Sequence, residues 1–175
     1  MNTTIKTLAF ATVSSFIFMG GCVSDLTTVT FDHTAEKTIE TQAFTTTGTQ
    51  TFGESILTSS IDAELKSKNT TSDLLDELKL KSARITNEDT LGNFDNIEKI
   101  ELYIQADGQP EVLMASKNVP DGVRTVDLDV NSSEDLAKYL KATTFTYRIK
   151  GTNSGPIPAM KLKVSGTYAG KASVK

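Results

Sequence analysis

The chain has no tryptophan, one histidine, one cysteine and four prolines in 175 residues. One cysteine excludes an internal disulfide, and an unpaired thiol is a liability in an oxidising compartment. One histidine excludes zinc sites that need two histidines, or a histidine with two or more cysteines. It also leaves His33 as the only base on which a Ser-His-Asp or Cys-His engine could be built, and no G-x-S-x-G accompanies it. Neither G-x-G-x-x-G nor a Walker loop occurs, so a bound nucleotide is not expected. With 18 basic against 22 acidic residues the net charge is −4. That balance provides no basic stripe for nucleic acid and no polybasic patch for an anionic lipid surface. No apolar run approaches the ~20 residues of a membrane-spanning helix.

What is present begins at the amino terminus. Lys6 and the terminal amine precede an apolar core from Leu8 to Met19, diluted by Thr12, Ser14 and Ser15, with no acid before Asp25. The core ends in Met19-Gly20-Gly21 and then the only cysteine, Cys22. A charged start, a core of about 7–15 residues and small residues at the cut are the anatomy of a secretory signal. On the residues alone, an ordinary cleaved signal with a free or core cysteine remains an alternative. The stretch from Phe16 to Cys22 resembles a bacterial lipoprotein signal with its lipobox. Met19 stands where that family usually has a branched aliphatic residue. The resemblance implies removal of residues 1–21 and acylation of Cys22, with palmitate among the chains. One myristoyl-sized chain binds membranes with a constant on the order of 10⁴ M⁻¹, and two or three chains make anchoring effectively permanent. Val23 is not the aspartate that retains such proteins in the inner membrane, so the outer membrane is favoured.

Residues 22–28 then form the lipidated cysteine with a short polar tether, and 29–175 a single domain of ordinary size. Val29 and Phe31 alternate with threonines and Asp32, a half-buried strand, and Ile39 begins a looser segment. Residues 44–52 read as strand, turn at Gly48, then strand. Ser60 is placed to cap a short helix with Ile61 and Leu65 on one face. A second helix is predicted over 72–79, with Leu74, Leu75 and Leu78 on one face. After it, Leu78, Leu80, Ala83 and Ile85 suggest a strand whose alternation slips at a bulge. Ile100, Leu102, Ile104 and Ala106 make the clearest amphipathic strand, closed by the Asp107-Gly108 turn. Residues 111–117 read as a return strand, and Val126, Leu128 and Val130 as another. A third helix is predicted over 133–141, capped by Ser132 or Ser133. Phe145, Tyr147 and Ile149, then Met160, Leu162, Val164 and Tyr168, complete the set. Short strands at regular spacing without βαβ alternation predict a mainly β fold. The form expected is an antiparallel β-sandwich, immunoglobulin-like or jelly-roll-like, with two or three short helices in crossovers. Residues 94–168 loosely resemble immunoglobulin-like lipoprotein domains of uncharacterised type, and that likeness implies no function.

Few residues invite chemistry. Asp127-x-Asp129-x-Asn131 spaces three oxygen donors like a calcium loop. The sixth and twelfth positions, Ser132 and Lys138, are wrong for an EF-hand, so the acids read as the solvent face of a strand. Glu88, Asp89, Asp95, Glu98 and Glu101 are scattered, and spacing selects no glycosidase pair among them. Tyr103, outward on its strand, is the one aromatic placed for a sugar platform, against a plainer role as a cross-strand partner. The expectation is a non-catalytic, membrane-anchored lipoprotein of the cell envelope with a binding or structural role, attached through Cys22. It has no cofactor, no metal and no catalytic residue, and its protein or glycan partner is unspecified. The alternatives are an envelope hydrolase with a carboxylate-based site and a carbohydrate-binding or adhesive surface domain.

Overall fold

The computed structural model describes residues 27–89 and 92–174. The expected signal peptide and Cys22 lie outside them. Eight strands carry the fold: β1 (Thr27–Glu40), β2 (Gly48–Thr58), β3 (Leu75–Asn87), β4 (Ile97–Ala106), β5 (Val112–Asn118), β6 (Thr125–Val130), β7 (Thr144–Asn153) and β8 (Lys161–Val174). Two short helices, α1 (Ile61–Ser67) and α2 (Ala137–Leu140), and one 3₁₀ turn (Ser72–Leu74) lie in the connections.

The fold is mainly β and antiparallel, as the alternation implies. In place of two separate sheets, the strands form one curled sheet in the order β1-β8-β3-β6-β5-β4-β7-β2. Its continuity rests on a short ladder, since β5 meets β6 at two residue pairs only, Ala115 with Val130 and Ser116 with Asp129. Four pairings are nested: β4 with β5, β3 with β6, β2 with β7 and β1 with β8.

Two helix expectations are corrected. Residues 75–79 are strand, and only Ser72–Leu74 turns. The register of β3 against β8 slips between Leu75 and Glu77 and again between Leu80 and Ser82. A bulge adds one residue, so successive inward positions fall three apart instead of two. Leu75 and Leu78 therefore imitate the spacing of a helix face. The 133–141 helix shrinks to α2. Upstream of it, Asn131 Oδ1 accepts from the Ser133 hydroxyl at 2.7 Å, and Asp135 Oδ1 accepts from the amides of Leu78 and Ala137, each at 3.0 Å. These side chains hold the backbone in turns, the usual competition of Asn, Asp and Ser with a helix. Segment 135–136 is also held beside β3, because Leu136 N donates to Leu78 O at 2.7 Å. Strand β1 runs on through the segment expected to loosen at Ile39.

Inward positions build one core. Phe31 and Ile39 of β1, Leu78, Leu80 and Ile85 of β3, Ile100, Leu102 and Ile104 of β4, Phe145, Tyr147 and Ile149 of β7, and Leu162, Val164 and Tyr168 of β8 are all buried. Leu136, Tyr139 and Leu140 close one end of it, and Ile61 and Leu65 of α1 join them. The return strand β5 buries Met114 and Ala115, half-covers Val112, Leu113, Ser116 and Lys117 and exposes Asn118, with a register shift beside Leu102 and Tyr103.

Two glycines let aromatic rings lie flat against the sheet near its edges. A Cβ on Gly170 would stand 2.4 Å from Phe31 Cζ, and one on Gly151 would stand 2.4 Å both from Lys99 O and from Phe52 Cε2. At Gly170 the obstacle is a side chain that can shift; at Gly151 it includes backbone of the neighbouring strand. Gly151→Ala is therefore expected to cost more stability than Gly170→Ala. Overpacking of this kind typically costs about 1–3 kcal/mol. Urea unfolding of the two variants checks the order, and equal costs would show that the Lys99 carbonyl yields as easily as a ring.

Candidate functional site

The single histidine sits on the inward face of β1, buried, level with Tyr168 across the β1–β8 ladder. Its Nε2 lies 3.4 Å from Ser60 Oγ, and its ring is 6.3 Å from that of Tyr168. Ser60 precedes α1 and makes no side-chain cap to the helix, so its hydroxyl is turned toward His33 instead. Burial lowers the imidazole pKa below its ordinary value, and the charge of Glu64 on α1 offsets this in part. Nothing in the local sequence announces this meeting, since Ser60 and His33 are 27 residues apart.

Serine, histidine and glutamate thus approach one another, as nucleophilic catalysis requires in type. The geometry stops short of an engine. The Ser60–His33 contact is long, and among the described residues no carboxylate is hydrogen-bonded to the imidazole. What the arrangement does is fasten α1 across the space between the edge strands β1 and β2.

Deeper in the core the hydroxyls of Tyr147 and Tyr168 hydrogen-bond to each other, and Tyr168 also reaches Met114 Sδ at 3.9 Å. Burial pushes both phenols far above their ordinary pKa. Each tyrosine is legible as an inward residue of its strand, but their contact is not, because it depends on strand order.

The other residues singled out above are dispersed. Asp127 pairs with Arg84 at 2.6 Å and Asp129 with Lys117 at 2.7 Å, both on the outer face, while Asn131 is engaged by Ser133. The three oxygen donors therefore face different partners and do not converge. Glu88 accepts from Thr38, Asp89 from the amide of Lys161, Asp95 from the amide of Gly122, and Glu101 from Lys99. Glu98 is exposed on β4. Among the described residues no group of three or more His, Cys, Asp or Glu is placed to hold a metal ion.

Tyr103 lies outward, with Lys150 Nζ 4.3 Å from its ring centre and its hydroxyl donating to Glu101. It is a cross-strand partner in an ionic cluster that local reading missed. In that cluster Glu111 accepts from both Arg148 and Lys150. Burial raises the Glu111 carboxyl, but the bond to Lys150 and the charge of Arg148 outweigh this and hold its pKa below the usual value. A surface hollow of about 520 Å³ lies over the bare backbone of Gly170 and is rimmed by Asp32, Glu77, Lys79 and Lys171. It is shallow, and its ionic groups pair with neighbours: Asp32 with Lys81, and Glu77 with Lys79 and Lys171.

Two outcomes follow. Because the folded state disfavours charged His33, the unfolded chain binds the proton more readily. The His33 contribution is whole above the ordinary imidazole value of about 6.5 and falls away as pH drops below it toward the depressed folded value. Denaturant melts at pH 7.5 and 5.5 should show this loss in the native protein and a smaller one in His33→Gln. An unchanged loss in His33→Gln would assign it to other groups. For the buried phenols, Tyr147→Phe leaves the Tyr168 hydroxyl with only a sulfur partner and should cost about 1–3 kcal/mol. Tyr147→Phe/Tyr168→Phe removes both and should cost less than the sum of the single variants, and strict additivity would refute the coupling.

Comparison with protein families found no model that matches the chain, and comparison with curated proteins found no match. The functional reading rests on the chain's own residues.

Proposed function

We propose that this chain is a non-catalytic lipoprotein of the bacterial cell envelope, anchored through acylated Cys22, with a binding or structural role. The observation that carries the reading is the apolar core ending in Gly20-Gly21-Cys22, followed after four further residues by Thr27, where β1 begins. A lipid on Cys22 accounts for the lone cysteine, and the outer membrane is the favoured address. No helix among the described residues is long and apolar enough to cross a membrane. Engaged carboxylates, a buried neutral imidazole and shallow hollows favour a binding or structural role over the hydrolase alternative.

The strand order supports a jelly roll, the second of the two sandwich forms expected. One half reads β1-β8-β3-β6 and the other β2-β7-β4-β5, which is the pattern left when a long antiparallel hairpin is wrapped into two facing layers. That architecture hosts many activities and selects none of them.

Cys22→Ser is expected to abolish membrane association while leaving the domain folded. Detergent-phase partitioning and mass analysis of the mature amino terminus check this. A Cys22→Ser protein that stays in the membrane fraction would sink the proposal.

A further inference from the structure

We propose that the end of the domain bearing α1, the 107–111 turn and α2 faces the bilayer, and that the opposite rim is held away from it. The inference rests on lipidation of Cys22. Five Cα steps separate Cys22 from Thr27, so the connection spans at most ~18 Å.

The register fixes which end that connection reaches. Thr27 pairs with Val174, and Leu75 of β3 with Ala172, so the start of β1, the start of β3 and the end of β8 lie together. Following the antiparallel ladders around the sheet brings Val130, Val112, Ala106, Phe145 and Thr58 to the same end. Their connections, 59–74, 107–111 and 131–143, are the ones that contain both helices. From Thr27, β1 climbs thirteen residues to Glu40, a rise of ~43 Å at ~3.3 Å per residue. The connection is less than half as long as the strand, so the far rim cannot be turned down onto the membrane.

A domain tethered at one end could still lie on its side, but neither side offers a hold. One outer face carries Asp32 with Lys81 at 2.8 Å, Glu36 with Lys163 at 3.0 Å and Glu77 with Lys171 at 2.9 Å. The other carries Glu54 with Arg148 and Glu101 with Lys99, each at 2.7 Å. Pressing such pairs against headgroups desolvates them, with little apolar gain in return. Ile56 is the only large hydrophobic side chain exposed among the described residues. The domain therefore stands on the membrane, with the loops 41–47, 119–124 and 154–160 held away from it. That rim is pinned: Phe44 and Ile157 exchange two backbone hydrogen bonds at 2.9 Å, and Asn96 Nδ2 donates to Pro156 O at 3.0 Å.

The test uses the full-length lipidated protein reconstituted in vesicles containing a membrane-bound energy acceptor. A thiol-reactive fluorophore is placed at Ser132→Cys on the near end or at Asp121→Cys on the far rim; acylated Cys22 offers no competing thiol. Transfer from position 132 should exceed that from position 121 several-fold. A long Gly/Ser insertion between Leu26 and Thr27 should shrink the difference. Equal transfer from both positions, or stronger transfer from 121, in protein that still floats with the vesicles overturns the orientation alone. A difference untouched by the insertion overturns the short connection as its cause. Failure of the Cys22-bearing protein to float overturns the anchoring reading, and this inference with it.

Discussion

The constraint that the structure depends on is burial of the inward faces of one curled sheet, and its clearest mark is the hydrogen bond between Tyr147 and Tyr168. Their strands are second from opposite ends of the sheet order, so the hydroxyls meet only because the sheet curls back on itself. The covalent order and the two-residue ladder between β5 and β6 do little to impose that curl. What imposes it is burial of the inward faces, at roughly 25 cal/mol for each Å² of apolar surface withdrawn from water. Two phenols placed in such a core must satisfy each other, since a buried hydroxyl without a partner costs about 1–3 kcal/mol. The pair thus selects one packing of the two halves among those that apolar contact alone would accept. Met114, reaching in from β5, ties the junction strand to the same point.

The edges of the sheet are managed by different means. β1 and β2 have a paired neighbour on one side only, and they come close to each other near Gly53, where a Cβ would stand 2.8 Å from Ile39 Cγ2. Farther along, Ser60 and His33 bring α1 over the gap. Lys37, opposite Val164, shares the inward parity of β1 yet remains exposed. A charge on that side of an edge strand opposes pairing with another chain. These features favour a domain that stays discrete when crowded with its copies.

Legibility in the sequence followed how one-sided each strand is. β4, β6 and β7 pair a dry face with a wetter one, and their alternation placed them nearly to the residue. β3 carries two bulges, and its first half reads as a helix because the extra residues spread its leucines to a helical spacing. The stretch before α2 reads as helix because Ser132 or Ser133 suits a cap, yet in the fold the oxygens of Asn131 and Asp135 hold that backbone in turns. The meeting of His33 with Ser60, the phenol pair and the Glu111 cluster are not legible in the sequence, because each joins strands whose adjacency no local pattern encodes. The sheet's continuity escaped for the same reason, as it hangs on two residue pairs.

The nesting of the strand pairs also bears on how the chain is made and moved. The innermost pair, β4 and β5, closes through the five residues 107–111, while β1 finds its partner only in β8, more than a hundred residues away. Long-range pairings of this kind make folding slow, because loop entropy is lost before contacts compensate for it. A chain emerging from its amino terminus cannot pair β1 until nearly all of it has been synthesised. A chain that has to be moved as an unfolded thread would gain from that delay, because its first strand stays without a partner until its last is available.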